Sequence, residues 1–166
     1  MTVLTILEYP DPRLRKKAVP VVDINDDIRR IVEDMLETMY AEHGGGLAAN
    51  QVNIQQRIVV MDGSDEKNEP ICAINPEIIS RSGTQYETEG CLSLPGVLDK
   101  VSRAAIVRFR ALDRDGKPYE MEVEGYLAKC IQHEIDHLDG ILFVDHLSRL
   151  KQERLRKKLQ KARQQA

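Results

Sequence analysis

Gln132-His133-Glu134-Ile135-Asp136-His137 is the stretch on which the reading of this chain turns. It has the form H-E-x-x-H, which on a helix puts two histidines at i and i+4, one turn apart on a single face. Two imidazoles at that spacing can grip one divalent metal, with the glutamate between them directed at the metal's open side as a proton carrier. Ile131, Ile135 and Leu138 give the same segment a packing face. The helix is therefore expected from about Gly125 to Leu138, stopping at Asp139-Gly140.

A catalytic site of this kind has three protein ligands and an open position, so the third ligand decides the class. A metzincin continues H-x-x-G-x-x-H; Gly140 is in place, but Phe143 stands at the last position and cannot bind metal. A thermolysin-like enzyme takes a glutamate from a later helix, and the sole glutamate after His137 is Glu153, inside a basic run. Cys130 shares the helix face, yet ligands at i, i+3 and i+7 would span ~10 Å of axis. A helix continuing into Asp145 and His146 would carry both out of reach. Cys72 lies in the apolar run Ile71 to Ile74, which reads as a buried strand. Cys91 remains, in the polar, glycine-containing segment Glu89-Gly90-Cys91-Leu92-Ser93, where a thiol is accessible. Two imidazoles and a thiolate leave a fourth position for water and suit zinc, iron, cobalt or nickel. A purely structural metal module would need a fourth protein ligand, and neither His43 nor His146 is well placed to be one.

Three motifs in order resemble those of the peptide deformylases. They are Gly44-Gly45-Gly46-Leu47-Ala48-Ala49-Asn50-Gln51, then Glu89-Gly90-Cys91-Leu92-Ser93, then Gln132 through Leu138. The likeness extends back to Tyr9-Pro10-Asp11-Pro12-Arg13-Leu14 and covers nearly the whole chain. The resemblance implies a metallohydrolase that removes the N-formyl group from the formyl-methionine of newly synthesised polypeptides and releases formate. It implies Cys91, His133 and His137 as metal ligands, with Fe(2+) as the working metal and Zn, Ni or Co as possible occupants. It makes Glu134 the proton shuttle, and the Gln51 side-chain amide and the Leu92 backbone N–H the donors to the carbonyl oxygen. Gly45, Gly46, Glu89 and Gly90 are then expected to bind the peptide, the glycines letting it lie alongside as an added strand. Read from H-E-x-x-H alone, the alternative is a metallopeptidase that cleaves internal amides.

Two positions depart from the family pattern. Gly45 stands where an aliphatic residue is usual, so a packing contact is lost and the loop gains freedom. Leu94 to Lys100 lacks the arginine that some members place there, and Arg103 is not read as its substitute. Tyr126 and Cys130 share the metal-facing side of the helix and are candidates for the methionine pocket, with core packing as the other reading.

Around the motifs the chain reads as α+β: small antiparallel or mixed sheets around a central H-E-x-x-H helix, with a basic C-terminal helix. Asn25 or Asp26 caps a helix with an apolar stripe at Ile28, Ile31, Val32, Met35, Leu36, Met39 and Tyr40, stopped by the glycine triplet at 44–46. Strands are expected at Arg57–Met61, Ile71–Ile74, around Gln85–Glu89, and at Ala104–Leu112 and Tyr119–Val123, the last two paired across Asp113-Arg114-Asp115-Gly116. Irregular alternation of helix and strand argues against a doubly wound sheet.

At 166 residues the chain is one domain, with 1–148 as the catalytic part and 149–166 as a helical extension of it. Three cysteines without framework spacing fit a reducing compartment, and there is neither a signal segment nor a long apolar span, so a cytoplasmic monomer is expected. Residues 149–166 hold eight Lys/Arg and one acid, a charge of +7; the whole chain is −3, which leaves −10 for the rest. Such a helix either docks as an amphipathic element or binds ribosomal RNA near emerging chains.

Overall fold

A computed structural model describes residues 2–164. Helix α1, Asp26–Ala41, begins where Asn25 accepts a hydrogen bond from the Ile28 N–H, 3.1 Å away. It buries Ile28, Val32, Met35, Thr38 and Met39 along one stripe. Its end lies just before the glycine triplet. His43 takes a left-handed conformation (φ 57°), the His43 N–H reaches the Tyr40 carbonyl, and the Gly44 N–H reaches the Met39 carbonyl. That paired closure turns the chain at His43, so Gly46 is free to start a strand instead of ending the helix.

The strands are β1 (Gly46–Ala48), β2 (Ile58–Met61), β3 (Ile71–Ser82), β4 (Gln85–Cys91), β5 (Leu94–Arg103), β6 (Ile106–Leu112) and β7 (Pro118–Glu124). Five form a sheet in the order β1-β2-β3-β6-β7, and β4 pairs with β5 in a separate ribbon. Every ladder is antiparallel. The β6–β7 turn falls where expected, with Asp113 Oδ1 accepting from the Asp115 and Lys117 N–H groups. Strand β3 runs eight residues past its expected end. Asn75 adopts φ 52° and its carboxamide bonds the Val21 N–H and C=O, so a bulge between Ile74 and Glu77 carries the strand past Pro76.

Strand β2 is buried on both faces because a helix covers each. Ile58 and Val60 join the cluster of Val32, Met35 and Met39 from α1, while Val59 and Met61 join that of Ala128, Ile131 and Leu138 from α2. Helix α2, Gly125–Leu138, matches the expected span. Gln132 fixes its height: Oε1 accepts from the Ala104 N–H, and Nε2 donates to the Ala104 and Ala128 carbonyls at 3.0 and 2.8 Å.

Strand β5 has no counterpart among the expected strands. It contains Pro95 and Gly96, and both faces of a two-stranded ribbon are partly wet, so it lacks a clean apolar alternation. Helix α3, Arg149–Gln164, packs Leu155 and Leu159 against a cluster containing Leu94, Val101 and Phe143, and Lys151 pairs with Asp99 at 3.1 Å. The amphipathic-docking expectation for the tail is met on these contacts. Among the described residues, no helix is long and apolar enough to cross a membrane.

Candidate metal centre and its cleft

The two motif histidines present their Nε2 atoms 3.1 Å apart, and Cys91 Sγ lies 3.2 Å from His137 Nε2. Cys91, His133 and His137 place one donor atom each within 4.8 Å of one another. Ligand atoms around a tetrahedral ion with bonds of 2.0–2.3 Å stand ~3.3–3.8 Å apart, so this donor set is close to what a divalent transition metal needs. The His133 ring is held in the orientation that ligation requires. Its Nδ1–H faces Glu89 Oε1 at 2.8 Å, which leaves Nε2 as the ligating nitrogen.

Glu89 does more than line the cleft. Arg103 grips it with two parallel bonds, Nε to Oε2 at 2.8 Å and Nη2 to Oε1 at 2.9 Å, and also donates to Asp136 Oδ2 at 2.7 Å. Both carboxylate oxygens are engaged and the residue is 3 % exposed. The Glu89 side chain thus holds His133, while the residue also lines the cleft. Burial alone would raise the Glu89 pKa, but the Arg103 and His133 bonds prevail and bring it down to about 2. Arg103, which the sequence left without a role, is the buried counter-charge of the site. A lone arginine 30 residues before the histidine it supports gave no local signal.

Glu134 is buried on α2, and burial pushes its carboxyl up to about 7. Its Oε2 would lie 2.6 Å from a Cβ placed on Gly46, so glycine there gives the carboxylate its room. Burial and the neighbouring His133 hold His137 well below the ordinary histidine range. For His133, burial acts downward, but Glu134, Cys91 and Glu89 together raise it. The acids around His133 favour a positive charge there, which a proton or a bound metal can supply.

Gln51, which taken alone reads as a surface residue, is 1 % exposed in the 3-10 turn Ala49–Val52. Its Oε1 accepts from the Ala48 N–H, and its Nε2 lies 3.1 Å from Ser93 Oγ and 3.5 Å from Cys91 Sγ. The same turn is tied to α2 by Asn50, whose Nδ2 donates to the His137 carbonyl. Leu92 sits in the two-residue turn between β4 and β5, directly after Cys91. Phe143, at the position a metzincin would give to histidine, stacks on the His133 ring with centroids 6.0 Å apart. Asp145 pairs with Arg15, and His146 Nε2 lies 2.9 Å from Asp136 Oδ2, so neither approaches the donor set.

A cleft of about 430 Å³ runs past these groups, with Gly44, Gly45 and Gly46 on one side and Gly90, Leu92 and Glu134 among its other walls. Tyr126 and Cys130 both face it, as do Val97 and Leu98 of β5. Its glycine side leads into β1, the end strand of the five-stranded sheet.

The polypeptide deformylase family model matches residues 3–153. The chain is 59 % identical over 162 residues to a peptide deformylase of Alkalilimnicola ehrlichii, covering 97 % of this chain and 91 % of that one. It is 58 % identical over 167 residues to that of Azotobacter vinelandii, covering 99 % of each. The fold superposes on the crystal structure of a peptide deformylase from Legionella pneumophila with a TM-score of 0.93 and 48 % identity, over 98 % of this chain and 96 % of that one. These likenesses set aside the internal-amide metallopeptidase, and the chain belongs to the polypeptide deformylase family.

Proposed function

We propose that this cleft removes the N-formyl group from the formyl-methionine end of newly synthesised polypeptides and releases formate. The observation that carries the reading is the convergence of Cys91, His133 and His137 beside a buried Glu134, in a chain of this family. Cys91, His133 and His137 would hold the metal, which when bound acts as a Lewis acid and brings the pKa of a coordinated water towards 7. The chain's own groups do the rest. β1 offers its free edge from Gly46, with Gly45 leading into it, and the substrate backbone aligns there as an added strand. The Gln51 amide and the Leu92 N–H flank Cys91 and stabilise negative charge growing on the formyl oxygen. Glu134 takes a proton from the attacking water and delivers it to the leaving amine nitrogen, so one carboxyl serves as base and then as acid. Burial of Glu134 keeps its proton affinity near neutrality, which suits both duties. Glu89, locked by Arg103, keeps His133 aimed.

Fe(2+) is the metal we assign, with Zn, Ni or Co able to take its place. The donor set of two imidazoles and a thiolate supports a soft or borderline ion of this group. The test is formate release from a formyl-Met tripeptide by protein loaded with Fe(2+) without oxygen. Turnover is expected in that form and should decay on aeration, through loss of Fe(2+) or oxidation of Cys91. No formate release would discard the activity; full activity after prolonged aeration would discard the iron assignment.

We read the working unit as a cytoplasmic monomer, with 1–148 as its catalytic part and 149–166 as an extension. Three free cysteines support a reducing compartment, and every residue of the site comes from one chain. Helix α3 presents Arg154, Arg156, Lys157 and Lys158 to solvent while Leu155 and Leu159 face the domain. That separation supports ribosome binding through the basic face. Lys157→Glu with Lys158→Glu leaves the docking leucines intact. It is expected to weaken ribosome binding and flatten its salt dependence, with tripeptide turnover unchanged. Equal affinity in variant and parent would remove the ribosome from the account.

A further inference from the structure

The two histidines of α2 are held unequally. His133 Nδ1 faces Glu89 Oε1 at 2.8 Å, whereas His137 Nδ1, in a fully buried residue, has no hydrogen-bond partner among the described residues. A second orphan lies against it. Asn50 is equally buried in the turn Ala49–Val52, where its Nδ2 donates to the His137 carbonyl and its Oδ1 is an acceptor without a partner. One residue thus lacks an acceptor for a ring N–H, and the residue touching it has an acceptor to spare. The His137 carbonyl does not depend on Asn50, because the Gly140 N–H donates to it at 3.0 Å. The terminal torsion of an asparagine is soft, so the carboxamide can turn about its present contact. Glu134 Oε1, a further acceptor without a partner on this helix, belongs to the group that must stay open to a proton.

We propose that Asn50 is the positioning residue of His137: in the metal-loaded protein its Oδ1 accepts from His137 Nδ1–H, as Glu89 does from His133. Ligation through Nε2 puts the ring proton on Nδ1, and a partner for that N–H fixes both the tautomer and the angle of the ring. A buried N–H left without a partner opposes ligation. Asn50 also stands directly before Gln51, so one turn carries both the oxyanion donor and the support of a ligand. The inference rests on the reading of Cys91, His133 and His137 as the metal ligands.

Zinc serves as the probe, read by chelator competition and by the ring N–H protons of zinc-loaded protein carrying isotope-labelled histidine. Asn50→Leu, similar in volume but without polar atoms, should weaken zinc binding ~10–100-fold and remove the slowly exchanging His137 Nδ1–H proton. Asn50→Asp, which keeps an acceptor and loses the donor, should return most of that affinity and keep the proton. The His133 Nδ1–H proton should persist in parent and variants alike, since Glu89 is untouched. A general loss of stability would not sort the variants by acceptor in this way. Unchanged affinity in Asn50→Leu, or Asn50→Asp as weak as Asn50→Leu, would overturn the inference, while zinc binding by the parent keeps the ligand assignment. A parent that binds no zinc would overturn both. If Asn50→Leu fails to fold, Asn50→Ala takes its place. If Asn50→Asp fails to fold, the His137 proton decides: its loss in Asn50→Ala supports the inference and its survival there overturns it.

Discussion

Glu134→Ala is expected to cut formate release by ~10²–10⁴-fold, the usual worth of a positioned general acid–base group, while metal content stays at one ion per chain. The split between the two readouts follows from the geometry. The metal donors are Cys91 Sγ and the two imidazole Nε2 atoms, and the Glu134 carboxylate is directed instead at the backbone of Gly46. Removing it leaves the ligands in place but takes away the proton carrier. The pH profile gives a second check. A base works only when deprotonated, so the rate must fall as pH drops through the Glu134 pKa. Burial, the largest influence, lifts that pKa to about 7, and a nearby bound cation lowers it, so the acid limb should lie below neutrality. In Glu134→Gln the residual rate should lose this limb. A variant that kept normal turnover, or that lost its metal along with its activity, would show that Glu134 has some other role.

Arg103→Met should be the most damaging substitution to stability outside the hydrophobic core. Arg103 is 7 % exposed and its partner Glu89 3 %, so the change strands one carboxylate in the interior and frees Asp136 as well. Breaking a buried pair by removing one member costs ~3–5 kcal/mol, or a fall in Tm of ~6–20 °C for a chain of this size. Metal affinity should drop ~10–100-fold in parallel, because Glu89 would no longer hold His133 at a fixed angle. The stability loss has a definite pH dependence. Glu89 has a folded pKa of about 2, below its ordinary 4.5, so its contribution is present above 4.5 and is lost as pH falls towards 2. Parent and variant stabilities should therefore converge across that interval. Combining Arg103→Met with Glu89→Gln should cost less than the sum of the two single changes, since each removes the reason for the other. Additive losses would mean that the pair is not coupled.

What the sequence made legible and what it hid divide along the range of the interactions. Helix α2 and its three functional side chains are local: a turn's spacing, an apolar face and a terminal Asp-Gly fall within about one short helix. Cys91 could be reached because every nearer ligand failed on chemistry or length. The structure brings its sulfur beside His137, 46 residues away in the chain. The burial of Gln51 and the Glu89–Arg103–Asp136 network could not be read, because a charged or polar residue carries the same local pattern whether it faces water or a partner from a distant element. Strand β5 escaped for the related reason that Pro95, Gly96, Asp99 and Lys100 contradict strand propensity, which pairing with β4 overrides. Gly45 signalled a lost contact. The compensating ring comes from Tyr126, far along the chain, and only the folded protein shows that they share one volume.

The position of β1 at the end of its sheet has a consequence for breadth of use. A strand edge reads amide and carbonyl groups, which are the same in every extended polypeptide whatever its coding sequence. A processing step that must serve a whole proteome can place its discrimination in the first residue and the group attached to it. It then takes the rest of the chain on terms common to all proteins.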